Sequence, residues 1–320
     1  MIDITLLQNL LPASVKNALK PYYRVIYPNQ LHVVLWVTFR CNYKCTYCPV
    51  VTQFDFSSIY GKDSERSPEE WIIALNKLPS AYIYISGGEP FLYKGLPALV
   101  NNQGNYKILG IVTNATVKTN VYERIDRKTH LNLSFHSEFT TQDKFVSKIL
   151  ELKATNKFHL NINVVATREN ISLILEFKER LLDKDVSLHI DPFIDPNMQF
   201  QYSEEEKQIL KSLLSADRIG TLDRLNFDDY TTKICSAGKN YINMMPNGDI
   251  FRCAGGFDYF HSPLRKSVLL SGPKSPYNPE YFYMGNIFSD NFSLDTKPIR
   301  CELPCPAACD RDMAQIYLSR

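Results

Sequence analysis

The sequence predicts an α/β fold built on a parallel sheet, with a smaller segment of different character behind it. Three observations carry this. Between residues 31 and 191, apolar strand patterns alternate with helical ones, six times over. Three consecutive strands in that stretch alternate apolar and polar residues. Beyond residue 214 the chain grows richer in Gly, Pro and aromatics, and its strand signals shorten. Composition agrees: 320 residues, 44% hydrophobic and 22% charged, are enough for one large domain, or one plus a small appendage. They exclude a disordered chain, a collagen and a coiled coil. With 36 basic and 34 acidic residues the net charge is +2, so no nucleic-acid partner is expected. No apolar run approaches the ~20 residues of a membrane span.

Residues 1–30 read as an amphipathic helix and linker, with Leu6, Leu7, Leu10 and Leu11 at helical spacing and Lys16, Lys20 and Arg24 following. Packing on the main fold is favoured over contact with a membrane surface. The first strand is His32–Phe39. Ser67-Pro68-Glu69-Glu70 then starts a helix: a cap, a proline in the first turn, and acids at the positive end of the dipole. Strand two is Ala81–Ser86, ending in Gly87-Gly88-Glu89-Pro90. Strand three is Lys107–Thr113, ending at Asn114. Strand four is His130–His136, followed by a helix over 139–154. Strand five is Phe158–Val165, followed by a helix over 169–182. Strand six is Val186–Asp191.

Six such repeats suit an open (β/α)6 partial barrel. Strand four sets Leu131, Leu133 and Phe135 against Asn132, Ser134 and His136. Strand five sets Phe158, Leu160, Ile162 and Val164 against His159, Asn161 and Asn163. Strand six sets Val186, Leu188 and Ile190 against Ser187, His189 and Asp191. Buried parallel strands normally read as unbroken apolar runs. A polar face in three of them predicts a polar lumen, with the apolar face under the helices. The core is therefore placed at 31–200. A bridging helix near Ser203–Leu214 lies within 201–232, and a separate small domain occupies 233–320.

The eight cysteines fall in three groups: Cys41, Cys45 and Cys48; Cys235 and Cys253; Cys301, Cys305 and Cys309. The start, MIDITLLQNLLPASVK, lacks a basic n-region and a small-residue cleavage site. A reducing, cytoplasmic compartment is therefore expected, which disfavours disulfides. Structural zinc wants four ligands, and the first group supplies three, with His32 the nearest histidine. Three thiolates suit a [4Fe–4S] cluster with one iron left open.

The spacing Cys41-x3-Cys45-x2-Cys48, directly after a strand, resembles the signature of the radical S-adenosylmethionine (SAM) enzymes. Tyr47 stands where that family favours an aromatic, and GGEP at Gly87–Pro90, about forty residues on, resembles its second signature. The resemblance implies a partial (β/α)6 TIM-type barrel. It also implies a [4Fe–4S] cluster on the three cysteines, with SAM chelating the open iron and cleaved to a 5′-deoxyadenosyl radical. On that reading Gly87 and Gly88 let the backbone approach the ligand, and Glu89 offers a carboxylate to an ammonium. Asn114 and Ser134 occupy SAM-contacting places, and Arg168 either meets the SAM carboxylate or is solvated. His136 and Asp191 are candidates for acid/base or hydrogen-bonding contact with substrate.

Cys235 is followed after twelve residues by Gly248, and after four more by Cys253. This resembles the CX9–15GX4C opening of SPASM and Twitch extensions, which hold auxiliary Fe–S clusters. Between the cysteines, Tyr241–Met245 and Ile250–Arg252 read as a hairpin around Pro246-Asn247-Gly248-Asp249. Eight cysteines less three leave five, enough for one auxiliary [4Fe–4S] cluster and a spare. The tail spacing Cys301-x3-Cys305-x3-Cys309 departs from the SPASM run CX2CX5CX3C, so the ligand set stays open, as does a zinc site there. The insertion at 255–285 reads as a lid or an interaction loop.

The expected activity is hydrogen-atom abstraction leading to dehydrogenation, or to modification of a peptide or metabolite. An external donor such as a flavodoxin or ferredoxin would supply electrons. The alternatives are a radical epimerase using the spare cysteine, a non-catalytic Fe–S carrier, or a zinc-bound interaction module.

Overall fold

The computed structural model describes residues 31–48, 50, 60–193, 200–214, 233–253, 282–294, 299–300 and 316–318. The segment 1–30, most of the 255–285 insertion, and Cys301, Cys305 and Cys309 lie outside them. Six parallel strands form the body of the sheet: β1 (Leu31–Trp36), β2 (Ala81–Ser86), β3 (Tyr106–Thr113), β4 (Thr129–Phe135), β5 (Phe158–Ala166) and β6 (Ser187–Pro192). They stand in sequence order, as successive crossover connections require. The helices are α1 (Pro68–Leu75), α2 (Leu96–Asn101), α3 (Thr119–Tyr122), α4 (Gln142–Ala154), α5 (Ile171–Leu181) and α6 (Glu204–Leu213).

Local chemistry explains the boundaries. Ser67 and Ser203 each accept the N3 backbone N–H while the N3 glutamate, Glu70 or Glu206, reaches back to the cap nitrogen. Thr141 caps α4, so that helix starts later than the apolar pattern suggests. The residues before it form a turn in which Phe139 and Thr140 donate backbone N–H groups to the His136 carbonyl. β1 stops at Trp36, short of the expected Phe39. Beyond it, the carbonyls of Thr38 and Arg40 accept from the N–H groups of Gly88 and Glu89.

The apolar face of the sheet packs under the helices. Val33, Leu35, Ile83, Ile85, Leu131, Leu133 and Ile162 are buried, joined by Trp71 and Leu75 of α1, Phe145 and Ile149 of α4, and Ile174 and Phe177 of α5. Phe135 meets Phe145 and Phe177 with ring centroids 5.3 and 5.0 Å away. On the opposite face the polar residues cross-link along the strands. Asn161 donates to Asn132 over 3.1 Å, Ser187 donates to Asn161, and the rings of His130 and His159 stack at 4.9 Å.

The C-terminal hairpin does not stand apart from this body. β8 (Tyr241–Met244) pairs in parallel with β1, in register from His32↔Tyr241 to Leu35↔Met244. β9 (Asp249–Phe251) and β10 (Tyr283–Asn286) follow antiparallel, completing the order β10-β9-β8-β1-β2-β3-β4-β5-β6. β10 takes up the end of the expected insertion. The turn needs glycine at 248, where φ is +92° and a Cβ would fall 2.2 Å from the Phe288 ring. A second sheet centres on β7 (Lys233–Cys235), flanked antiparallel by β11 (Ile299–Arg300) and β12 (Ile316–Leu318). No helix among the described residues is long and apolar enough to cross a membrane.

Burial predicts the stability map. Ile162→Ala, at a fully buried position of β5, is expected to lower unfolding stability by about 2–5 kcal/mol. Leu182→Ala, at a site 77% exposed, should change it by less than about 0.5 kcal/mol. Urea unfolding of both variants checks the contrast.

Candidate active site

A cavity of about 900 Å3 opens at the C-terminal ends of the first four strands. Cys41, Cys45 and Cys48 come from the loop after β1, and Gly87 and Gly88 from the turn after β2. Thr113 and Asn114 come from the end of β3, and Ser134 and His136 from the end of β4. Successive residues of a strand point to opposite faces, so only the polar set of β4 reaches this space.

The cysteine loop belongs to no strand or helix, and its neighbours hold it in place. On one side Glu65 accepts from Thr38 Oγ1, from Arg40 Nε at 2.8 Å and from Arg40 Nη2 at 2.9 Å. Arg40 also donates to the Leu92 carbonyl at 2.9 Å. At the base, Gly88 and Glu89 donate backbone N–H groups to Thr38 O and Arg40 O at 2.9 and 2.8 Å. Asn114 donates to Asn42 Oδ1 at 2.9 Å, and Asn42 donates to Thr116 at 2.9 Å. On the far side the turn after β4 grips the loop. Glu138 accepts from Thr46 N at 3.1 Å and Thr46 Oγ1 at 2.7 Å, and Phe139 stacks on Tyr43 at 4.4 Å. His136 Nδ1 lies 2.6 Å from Tyr47 Oη and 3.3 Å from Cys45 Sγ.

These surroundings disfavour isolated thiolates. Burial pushes the Cys41 thiol up, and the charges of Glu89 and Cys48 add to it. Cys45, 4% exposed, is pushed up to about 12 by burial, then by Cys48, Glu138 and Cys41. Burial likewise raises Tyr47 and lowers His136 to about 4, so the imidazole is neutral at physiological pH. Three thiols on one cavity wall are a donor set for a cationic metal group, which would ionise them on binding. They fit an iron–sulfur cluster on that ground.

Several candidates have other partners than expected. Glu89 is fully buried and turned away from the cavity. It accepts from Phe91 N at 3.0 Å, Thr113 Oγ1 at 2.8 Å and Asn114 N at 2.7 Å, tying the end of β2 to the end of β3. Burial keeps its carboxyl above the usual range against the pull of those bonds. Gly87 and Gly88 admit the chain's own backbone: a Cβ on either would fall 2.3 Å from Thr38 O or 2.4 Å from Arg40 O. Arg168 does not line the cavity. It pairs with Glu206 at 2.7 Å, donates to Gln201 O at 2.9 Å and lies over the Phe200 ring. Asp191 is on β6, its carboxylate 3.2 Å from His189 Nε2, and it is not among the cavity's lining residues.

Cys235 and Cys253 both pack against Ala237 and Tyr241, as Val34 of β1 does. Sequence reasoning passed over Glu65, Asn42, Glu138 and Phe139. Their partners lie 25 to 96 positions away, and no local pattern marks them.

Residues 37–172 match the family model described as Radical SAM superfamily. A protein named probable GTP 3′,8-cyclase from Methanopyrus kandleri is 27% identical over 165 residues, covering 46% of this chain and 51% of that one. The chain thus spans about half the length of the curated relative it matches. Among solved structures, hexahistidine-tagged anSMEcpe with bound AdoMet superposes with a TM-score of 0.53 at 17% identity, covering 81% of this chain and 78% of the other. Native anSMEcpe with bound AdoMet and Kp18Cys peptide gives 0.51 at 17% identity, over 81% and 78%. These two share the fold.

Gly88→Ala is expected to displace the cysteine loop through Arg40 and weaken iron binding by about tenfold, the size usual for a supporting contact of a metal site. Iron and sulfide content after anaerobic reconstitution, beside an unchanged far-UV spectrum, is the check.

Proposed function

From the premise that residues 37–172 form a radical SAM superfamily domain, we propose that the protein holds a [4Fe–4S] cluster on Cys41, Cys45 and Cys48 and binds S-adenosylmethionine in the adjoining cavity. The supporting observation is the convergence of three coupled thiols on the wall of a cavity of about 900 Å3. Such a cluster, when bound and reduced, would supply the single electron for reductive cleavage of the SAM C–S bond, the chemistry that leads to hydrogen-atom abstraction from a substrate. The chain's own residues bind and orient. Gly87 and Gly88 line the cavity with backbone. Asn114 and Ser134 offer hydrogen bonds from the ends of β3 and β4. Phe39, Val50 and Leu92 supply apolar wall that keeps water from the reacting centre.

The reaction we favour is oxidation of a metabolite, or modification of a peptide, assisted by one auxiliary cluster. Two features support that second centre. Cys235 and Cys253 pack on the same small group of residues. The strands that flank the tail cysteines in sequence, β11 and β12, both pair with β7, which ends in Cys235. The described residues on either side of the tail thus meet the strand that carries an expected ligand.

After anaerobic reconstitution and reduction, the protein should convert SAM to 5′-deoxyadenosine, read by mass spectrometry. Cys45→Ala should abolish this. Cys235→Ala should leave cleavage but stop turnover of substrate. Cleavage retained by Cys45→Ala would sink the assignment.

A further inference from the structure

The Cys45 sulfur stands in a side-chain environment of its own. It lies 3.3 Å from His136 Nδ1, and the Tyr47 hydroxyl lies 2.6 Å from the same nitrogen. The three groups are locked together. The Tyr47 and His136 rings lie nearly parallel, with an interplanar angle of 16°, and Tyr43 meets His136 edge-on at 5.6 Å. The His136 carbonyl accepts from Phe139 N and Thr140 N, so the ring sits on a closed turn at the end of β4. Cys41 is served differently, by the backbone N–H of Tyr43 at 3.4 Å and by Asn114 Nδ2 at 3.9 Å.

We propose that His136, held by Tyr47, hydrogen-bonds the Cys45 thiolate, and that the two are positioning residues that thereby set the reduction potential of the cluster it ligates. This rests on the reading of Cys45 as a cluster ligand. As a thiolate, Cys45 has no proton to give and accepts only. The Nδ1–H tautomer of His136 donates to the sulfur, and the Tyr47 oxygen accepts from the same N–H and fixes the ring. Reduction adds negative charge to the cluster and its ligand sulfurs. A donor aimed at the sulfur of buried Cys45 stabilises that reduced state more than the oxidised one. The pair therefore raises the potential and eases reduction by an external donor. His136 accordingly serves the cysteine loop, in place of the acid/base contact with substrate expected from the sequence.

The test is an EPR-monitored redox titration of the reconstituted holoprotein, with iron and sulfide assayed on the same samples and no substrate present. Tyr47→Phe and His136→Leu should each carry the full cluster content and titrate at a more negative potential than the unaltered protein. His136→Asn, whose amide nitrogen takes the place of Nδ1, should recover most of the shift. An unchanged or more positive potential in fully loaded Tyr47→Phe and His136→Leu overturns the proposal and leaves the cluster assignment standing. Should His136→Leu load poorly, Tyr47→Phe decides, because it removes one oxygen and keeps the ring stack. If the unaltered protein takes up no cluster, or Cys45→Ala takes up as much, the cluster reading itself falls and the proposal with it.

Discussion

Everything at this site depends on holding three cysteine sulfurs together on a loop that has no ladder of its own. Left free, such a loop would lose its ligand geometry to conformational entropy, at roughly 1–2 kcal/mol per residue to be ordered. The fold meets that cost by fastening the loop at separate points to the ends of the second, third and fourth strands and to the segment before α1. Glu65, the Gly88–Glu89 backbone, Asn114 and the His136–Glu138 turn each take one side. The fastenings are directional hydrogen bonds and charge pairs in a partly buried setting, where they are stronger than in water.

The same constraint explains residues that sequence signatures suggest are there for a ligand. The two glycines of GGEP leave no room even for a methyl group against Thr38 and Arg40. The glutamate caps its own turn and receives the end of β3. A turn that must hold another loop within hydrogen-bonding distance is as demanding of glycine as one that must admit a small molecule. The two readings are separated only by seeing what lies opposite.

The sheet then carries this end of the molecule. Its apolar face is covered by α1, α4 and α5, while its polar face is cross-linked by Asn132, Asn161 and Ser187. Parallel addition of β8 beside β1 places Tyr241 next to His32, and Val34, Cys235 and Cys253 all pack against Ala237 and Tyr241. The hairpin lies beside the strand that launches the cysteine loop, in the same sheet.

The period-two alternation of β4, β5 and β6 made the six strands, and the face each residue takes, legible in the sequence. The cap at Ser67, the capping box at Ser203 and the Asn247-Gly248 turn were legible for the same reason, since each is settled by neighbours a few positions away. The three cysteines of the first loop were legible as a candidate cluster site from their spacing together with the GGEP turn after β2. What the tertiary structure decided was every partnership across distance. Glu138 with Thr46, Arg168 with Glu206 rather than with the cavity, Glu89 turned inward, His136 set against Cys45, and β8 laid beside β1 all belong to this class. Local pattern reports which face a side chain takes. Which group waits opposite that face is set by how crossovers and loops bring remote segments to one end of the sheet.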